Sequence, residues 1–165
     1  MQTRYHMPPD VRRHAIEIVR GYPRRLAAYR EARYAILSGS SCPYVEYAYT
    51  VRQPNGKSKV ERARQYFPRG SSVGDPTAAK ALRLAALEDY IETKRMRAVE
   101  QALVCVGDDI PDDGVRQKLR RAILDSCNDG RNFSYTYCDL PIGKSTFYRR
   151  REKFLHDIAG RTNFL

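Results

Sequence analysis

NFSYTYCDLPIGKSTFYRRREKFLHDIAG, residues Asn132–Gly160, is the most informative stretch of the chain. It reads as the second half of a helix-turn-helix: a short helix, a tight Leu-Pro-Ile-Gly turn, then a longer basic helix over 144–159. At about 100° per residue, Phe147, Phe154 and Ile158 fall within about 20° of one another. Leu155 lies about 80° away, so one side of this helix is apolar. The opposite ridge carries Ser145, Arg149, Glu152 and His156, flanked by Tyr148 and Lys153. Five basic residues and one acidic residue lie between Lys144 and Lys153, so the outer edge is cationic.

Such an edge has the chemistry that major-groove reading needs. Arginine can be bidentate to guanine, serine and threonine can bond bases or phosphates, and lysine attracts phosphate. The helix amino terminus adds unpaired N–H groups that favour anions. Gly143 stands at the N-cap, and Ile142 before it can staple the turn to the core. The candidate DNA-binding residues are therefore Lys144, Ser145, Thr146, Tyr148, Arg149, Arg150 and Lys153, with Arg120 and Arg121 from the preceding helix. Arg151 lies near the buried side, where its stem is expected to pack while its head reaches for water. The bland reading is a basic amphipathic helix on the surface of an ordinary domain. Gly143-Lys144-Ser145-Thr146 and Gly56-Lys57-Ser58 echo the tail of a phosphate-binding P-loop. That motif needs a glycine five positions earlier, and Cys138 and Val51 stand there.

Upstream, Val115, Leu119, Ala122 and Ile123 share one face of a support helix, stopped by Asn128-Asp129-Gly130. Its Arg116, Arg120 and Arg121 are expected to be free to approach a DNA backbone. The acidic GDDIPDD run at 107–113 precedes it. Without a spaced partner carboxylate or an EF-hand glycine, helix capping is a better reading there than metal binding. A long helix is expected from about Thr77 to Val104 or Val106, started by Asp75-Pro76. Leu84, Leu87, Ile91, Ala98 and Ala102 form a loose heptad-like seam along it. The seam would fold back on the first helix or make a homo-oligomer through 77–106.

Pro68–Gly74 reads as a linker. Tyr44–Val51 has strand propensity and Gln53–Gly56 is a turn. The stretch Lys57–Tyr66 either closes a hairpin or forms a short helix. The tyrosines of this 44–66 insert could stack on bases or pack on a neighbouring helix. Before it, Val11–Leu37 is helical in pattern, with a kink or break expected at Gly21-Tyr22-Pro23. Its arginines either bind phosphate or form a solvated coat.

The charge of +11 over 165 residues is unevenly spread. Eight basic residues oppose three acidic ones in 1–40, and six oppose three in 41–76. Five oppose six in 77–110, and eleven oppose seven in 111–165. Basic ends around a neutral middle suit a polyanionic partner, and double-stranded DNA is the natural one. No apolar run approaches the roughly 20 residues of a membrane span, and no secretory h-region opens the chain, so a cytoplasmic protein is expected. Four cysteines without a C-x₂-C pair and three scattered histidines point to free thiols and no zinc site. With no carboxylate paired in register with a histidine and no complete cofactor loop, neither an enzyme nor a cofactor is expected.

Three segments in order, Val19–Leu37, Asp75–Leu84 and the closing LPIGKSTFYRRREKFLHDIAG, resemble the RinA/ArpU-type phage transcriptional regulators of Gram-positive bacteria. The last also resembles recognition helices shared by many helix-turn-helix proteins and sigma-region-4-like modules. The resemblance implies a DNA-binding activator of late phage or prophage genes, working with host RNA polymerase in a bacterial cell. The insert at 44–66 departs from that pattern, as does Gly143 where a Ser or Thr cap is more usual. The expected fold is mainly α: long N-terminal and central helices, a C-terminal helix-turn-helix, and a possible β-hairpin. The expected division is 1–67, a linker at 68–76, and 77–165. Competing readings are a small-terminase-like DNA-packaging protein and a helical protein-interaction adaptor that does not bind DNA.

Overall fold

The structure, a computed structural model, describes residues 7–40, 42, 44–53, 56–66 and 76–163. Among them the chain forms six α-helices and one two-stranded antiparallel hairpin, so it is mainly α with a small β element. The order is α1 (Pro9–Arg20), α2 (Tyr22–Leu37), β1 (Tyr44–Arg52), β2 (Ser58–Tyr66), α3 (Pro76–Asp89), α4 (Ile91–Val104), α5 (Asp113–Asp129) and α6 (Lys144–Arg161). Two short 3₁₀ turns, Gly130–Asn132 and Tyr135–Cys138, join α5 to α6.

Two compact units divide the chain: Met1–Arg20 with Arg97–Leu165, and Gly21–Met96. This differs from the expected partition at 68–76. The reason is packing: α1 contacts α5 and α6, whereas α3 contacts α2. The linker at 68–74 and the Asp75 cap lie outside the described residues, but α3 does start at Pro76. Proline suits a first helical position, because its missing N–H would be unpaired there anyway.

In the first unit, α1 buries Ala15, Ile18 and Val19. From α5 come Leu119, Ala122, Ile123 and Cys127, and from α6 Phe147, Phe154, Leu155, Ile158 and Ala159. The 3.6-residue period of apolar positions in α5 and α6 thus does what it implies, turning one stripe of each helix inward. Asp112 caps α5 by accepting from the Val115 amide at 3.0 Å. Gly130, at φ +55°, ends α5 in a backbone region that disfavours a β-carbon.

In the second unit the expected break at Gly21-Tyr22-Pro23 is complete: α1 ends at Arg20 and α2 begins at Tyr22. The central helix is also broken, at Tyr90, between α3 and α4. Tyr90 donates its amide to Leu87 O in a tightened last turn, while its carbonyl accepts from the Lys94 amide to start the next helix. The heptad-like seam is therefore not one rod, and Ile91 is exposed.

The insert resolves as the hairpin. Tyr44 pairs with Tyr66 and Arg52 with Ser58. The Gln53 amide donates to Lys57 O at 2.8 Å to close the turn, whose Pro54 and Asn55 lie outside the described residues. Strand alternation places Val45 and Tyr47 on the buried face and Glu46 and Ala48 on the open one. Val45 packs with Ala32 and Ile36 of α2 and Leu87 of α3, beside Tyr29, Ala35 and Leu84. The tyrosine-bearing strand thus packs on a helix.

Candidate nucleic-acid interface

The candidate interface is the outer edge of α6, and its inner edge fixes its orientation. Phe147, fully buried, stacks on Phe133 at 5.6 Å and tilts against Tyr135 at 5.2 Å. Tyr135 in turn donates its hydroxyl to Ile142 O, so the Pro141-Ile142-Gly143 turn is fastened to the 3₁₀ turn before it. The connection from α5 to α6 runs over 130–143 and contains only 3₁₀ turns. The expected short helix is thus not an α-helix, and the connection is longer than the 3–4 residues of a typical helix-turn-helix.

Arg151 corrects a second expectation. Its guanidinium stays inside, donating from Nε to Ser126 Oγ at 2.9 Å, and Ser126 donates to Ile123 O at 2.7 Å. The serine hydroxyl thereby gives the buried head a partner, which a head without one would have to seek in water. Arg12 of α1 grips Glu152 with two hydrogen bonds, at 2.6 and 3.1 Å, so the one carboxylate on the outer ridge is neutralised within the unit.

The candidate residues then separate. Lys144, Ser145, Tyr148, Arg149 and Lys153 are exposed, Thr146 is half-buried, and Arg121 is exposed on α5. Lys144, Arg149 and Arg121 have no side-chain partner among the described residues. Gly143 takes the extended N-cap conformation (φ −70°, ψ 150°) with no side-chain cap. The first turn of α6 therefore begins without a side-chain cap, at exposed Lys144 and Ser145.

Arg150 and Arg120 are not free. Arg150 makes a two-pronged pair with Asp109, both bonds 2.7 Å. Those hydrogen bonds hold the Asp109 carboxyl well below the usual carboxylate range, at about 2. Arg120 donates to Val104 O at 2.7 Å, a carbonyl that the end of α4 leaves without a helix partner, and to Val106 O at 3.1 Å in the turn that follows. Arg116 leans on Pro111 O and Asp113 rather than standing free. The GDDIPDD run is thus both a cap and a counter-charge. Asp109 could have been suspected from its charge alone, but its partner lies 41 residues away.

No family model, curated protein or solved structure matches the chain. No helix among the described residues is long and apolar enough to cross a membrane.

Proposed function

We propose that the chain is a sequence-specific DNA-binding protein that reads the major groove with the outer edge of α6. In that reading it regulates late phage or prophage genes with host RNA polymerase as partner, as the resemblance of its three segments implies. The observation that carries the reading is the exposed row Lys144, Ser145, Tyr148 and Arg149, beside an uncapped helix start. The opposite edge of the same helix is locked by Phe147, Arg151, Phe154 and Ile158. A rigid rod with one free cationic edge can enter a groove about 12 Å wide without rearranging its own core. Lys144 and Arg149 supply base or phosphate contacts, Lys153 and Arg121 hold backbone, and Arg150 and Arg120 act chiefly inside the protein.

Duplex binding tests this directly. Affinity for selected genomic fragments should fall steeply as salt rises, because each neutralised phosphate releases counterions. Arg149→Ala should cost about 1–3 kcal/mol and relax preference at one base position. A uniform loss across all sequences would instead make Arg149 a phosphate contact. Indifference to duplex DNA at low salt sinks the proposal and leaves the protein adaptor. Ring oligomers bound to packaging-site DNA would transfer the reading to a terminase-like role.

A further inference from the structure

The unit Gly21–Met96 carries a second place where cations and aromatic rings converge, and the α6 reading does not use it. An open cleft of about 470 Å³ lies between the hairpin and the starts of α2 and α4. Arg24, Arg25, Tyr47, Tyr66, Tyr90 and Glu92 line it, with Arg64 and Gln65 also on its wall. Arg24, Arg25 and Arg64 face Glu92 in the lining, and Arg64 is itself paired with Glu46 at 2.8 Å.

The charges are ordered. Arg25 donates from Nε to Glu92 at 2.6 Å, and Arg95 donates to the other carboxylate oxygen at 2.7 Å. Arg24 comes third, at 3.5 Å from Glu92 and with 47 % of its side chain in water. Two arginines thus satisfy the carboxylate and hold the wall rigid, while the third guanidinium is only loosely engaged. Tyr66 and Tyr90 line the same cleft and are exposed, Tyr66 by 67 %. An exposed tyrosine ring is a stacking platform for planar heterocycles, and a guanidinium is a fork shaped for phosphate. A volume in the range of small-molecule sites accommodates a ligand of one ring system and one anionic group.

We propose that this cleft binds a nucleotide unit, its base against Tyr66 and Tyr90 and its phosphate on Arg24. The shared chemistry could come from a free nucleotide or from one residue of a single strand. A plain inorganic anion would leave the tyrosine rings unused, and an apolar ligand would leave Arg24 unanswered. The cleft and α6 are independent: they share no residue, so either can fail alone.

The test is calorimetric titration of the full chain with AMP, with a short single-stranded oligonucleotide, and with inorganic phosphate. Saturable one-site binding of AMP is expected, weakened about tenfold by Arg24→Ala, as for loss of a charge-assisted contact. Tyr66→Ala should weaken it about 5- to 150-fold and Tyr66→Phe should restore it, because the ring and not the hydroxyl does the stacking. Both variants should fold: Tyr66 is mostly exposed, and Glu92 keeps Arg25 and Arg95 when Arg24 is removed. The double variant Lys144→Ala, Arg149→Ala should bind AMP unchanged. Binding of the oligonucleotide alone would also support the proposal and identify a strand as the source. Phosphate binding as tightly as AMP overturns it. So does the absence of saturable binding to both nucleotide ligands, or binding that the α6 double variant loses and Arg24→Ala keeps.

Discussion

The two units differ in how they hold their arginines, although Arg12 and Arg150 of the first also pair with carboxylates. In the unit that holds α6, guanidiniums finish an apolar core: Arg20 donates to Cys127 O, Arg120 to Val104 O and Val106 O, and Arg151 to Ser126. Each caps a helix end or threads a gap between fully buried side chains. In the unit that holds the hairpin, three arginines gather on one carboxylate, Glu92. The apolar cluster there is small: Ala32, Ile36, Val45 and Leu87. The lesson is that basic composition alone does not measure binding surface. What matters is which heads remain after internal carbonyls and carboxylates have taken theirs. In the first unit that remainder includes one edge of α6 and Arg121, and in the second it includes Arg24 on one side of a cleft.

The contrast in cores predicts the largest effect. Phe147→Ala removes a fully buried ring that contacts Phe133 and Tyr135. It should cost about 3–5 kcal/mol in denaturant unfolding, the range for large-to-small aromatic changes. Leu87→Ala, in the smaller and shallower cluster, should sit near the low end for leucine, about 2 kcal/mol. Equal losses would break the comparison, since they would mean the hairpin unit is packed as deeply as its neighbour.

The next effect concerns Glu92. Burial pushes its carboxyl up, but the hydrogen bonds and charges of Arg25 and Arg95 outweigh that and hold it below the usual range. Glu92→Gln leaves three arginines without their charge partner. With 23 % of the side chain in water, the loss should be about 1–2 kcal/mol, less than for a fully buried pair. The sign follows from the lowered carboxyl. Its contribution is fully present above the ordinary value of 4.5 and is lost as pH falls through the lower folded value. Wild type and variant should therefore differ most near neutral pH and converge in acid. A difference in melting temperature that stays constant from neutral pH down to acid would show that Glu92 acts through shape and not charge.

Much of this was legible in local chemistry. The Gly143 cap, the apolar stripes of α5 and α6, the stop at Gly130 and the break before Pro23 are set by neighbours within a few residues. The return strand Ser58–Tyr66 was ambiguous because its inward positions are Glu61, Ala63 and Gln65. Their alternation is real but not apolar, so period alone could not choose strand over helix. The break at Tyr90 had no glycine or proline to announce it. The fate of Arg120, Arg150 and Arg151 depended on partners 14 to 41 residues away, and no periodicity encodes that. For the same reason the cleft could not be foreseen, since its walls come from α2, the hairpin and the start of α4.

The smallest effect on stability sharpens the comparison most. Asp109 is 69 % exposed and its pair with Arg150 lies at the surface, so Asp109→Asn should hardly move the melting temperature at neutral pH. What the pair contributes is present above the ordinary carboxylate value of 3.8 and is lost only as pH falls toward about 2. On duplex DNA the same substitution should act strongly. It releases a guanidinium on the flank of α6 and removes a negative charge beside Lys153, so affinity should rise. If Arg150 then reaches one more phosphate, the slope of log affinity against log salt should steepen by about 0.9. A gain in affinity with an unchanged slope would mean that Asp109 had merely repelled the duplex and that Arg150 stays on the protein. No gain at all would place the bound DNA away from this flank and confine the interface to Lys144, Ser145 and Arg149. In either case a single uncharged amide decides whether Arg150 belongs with the arginines that complete the protein or with those that face its partner.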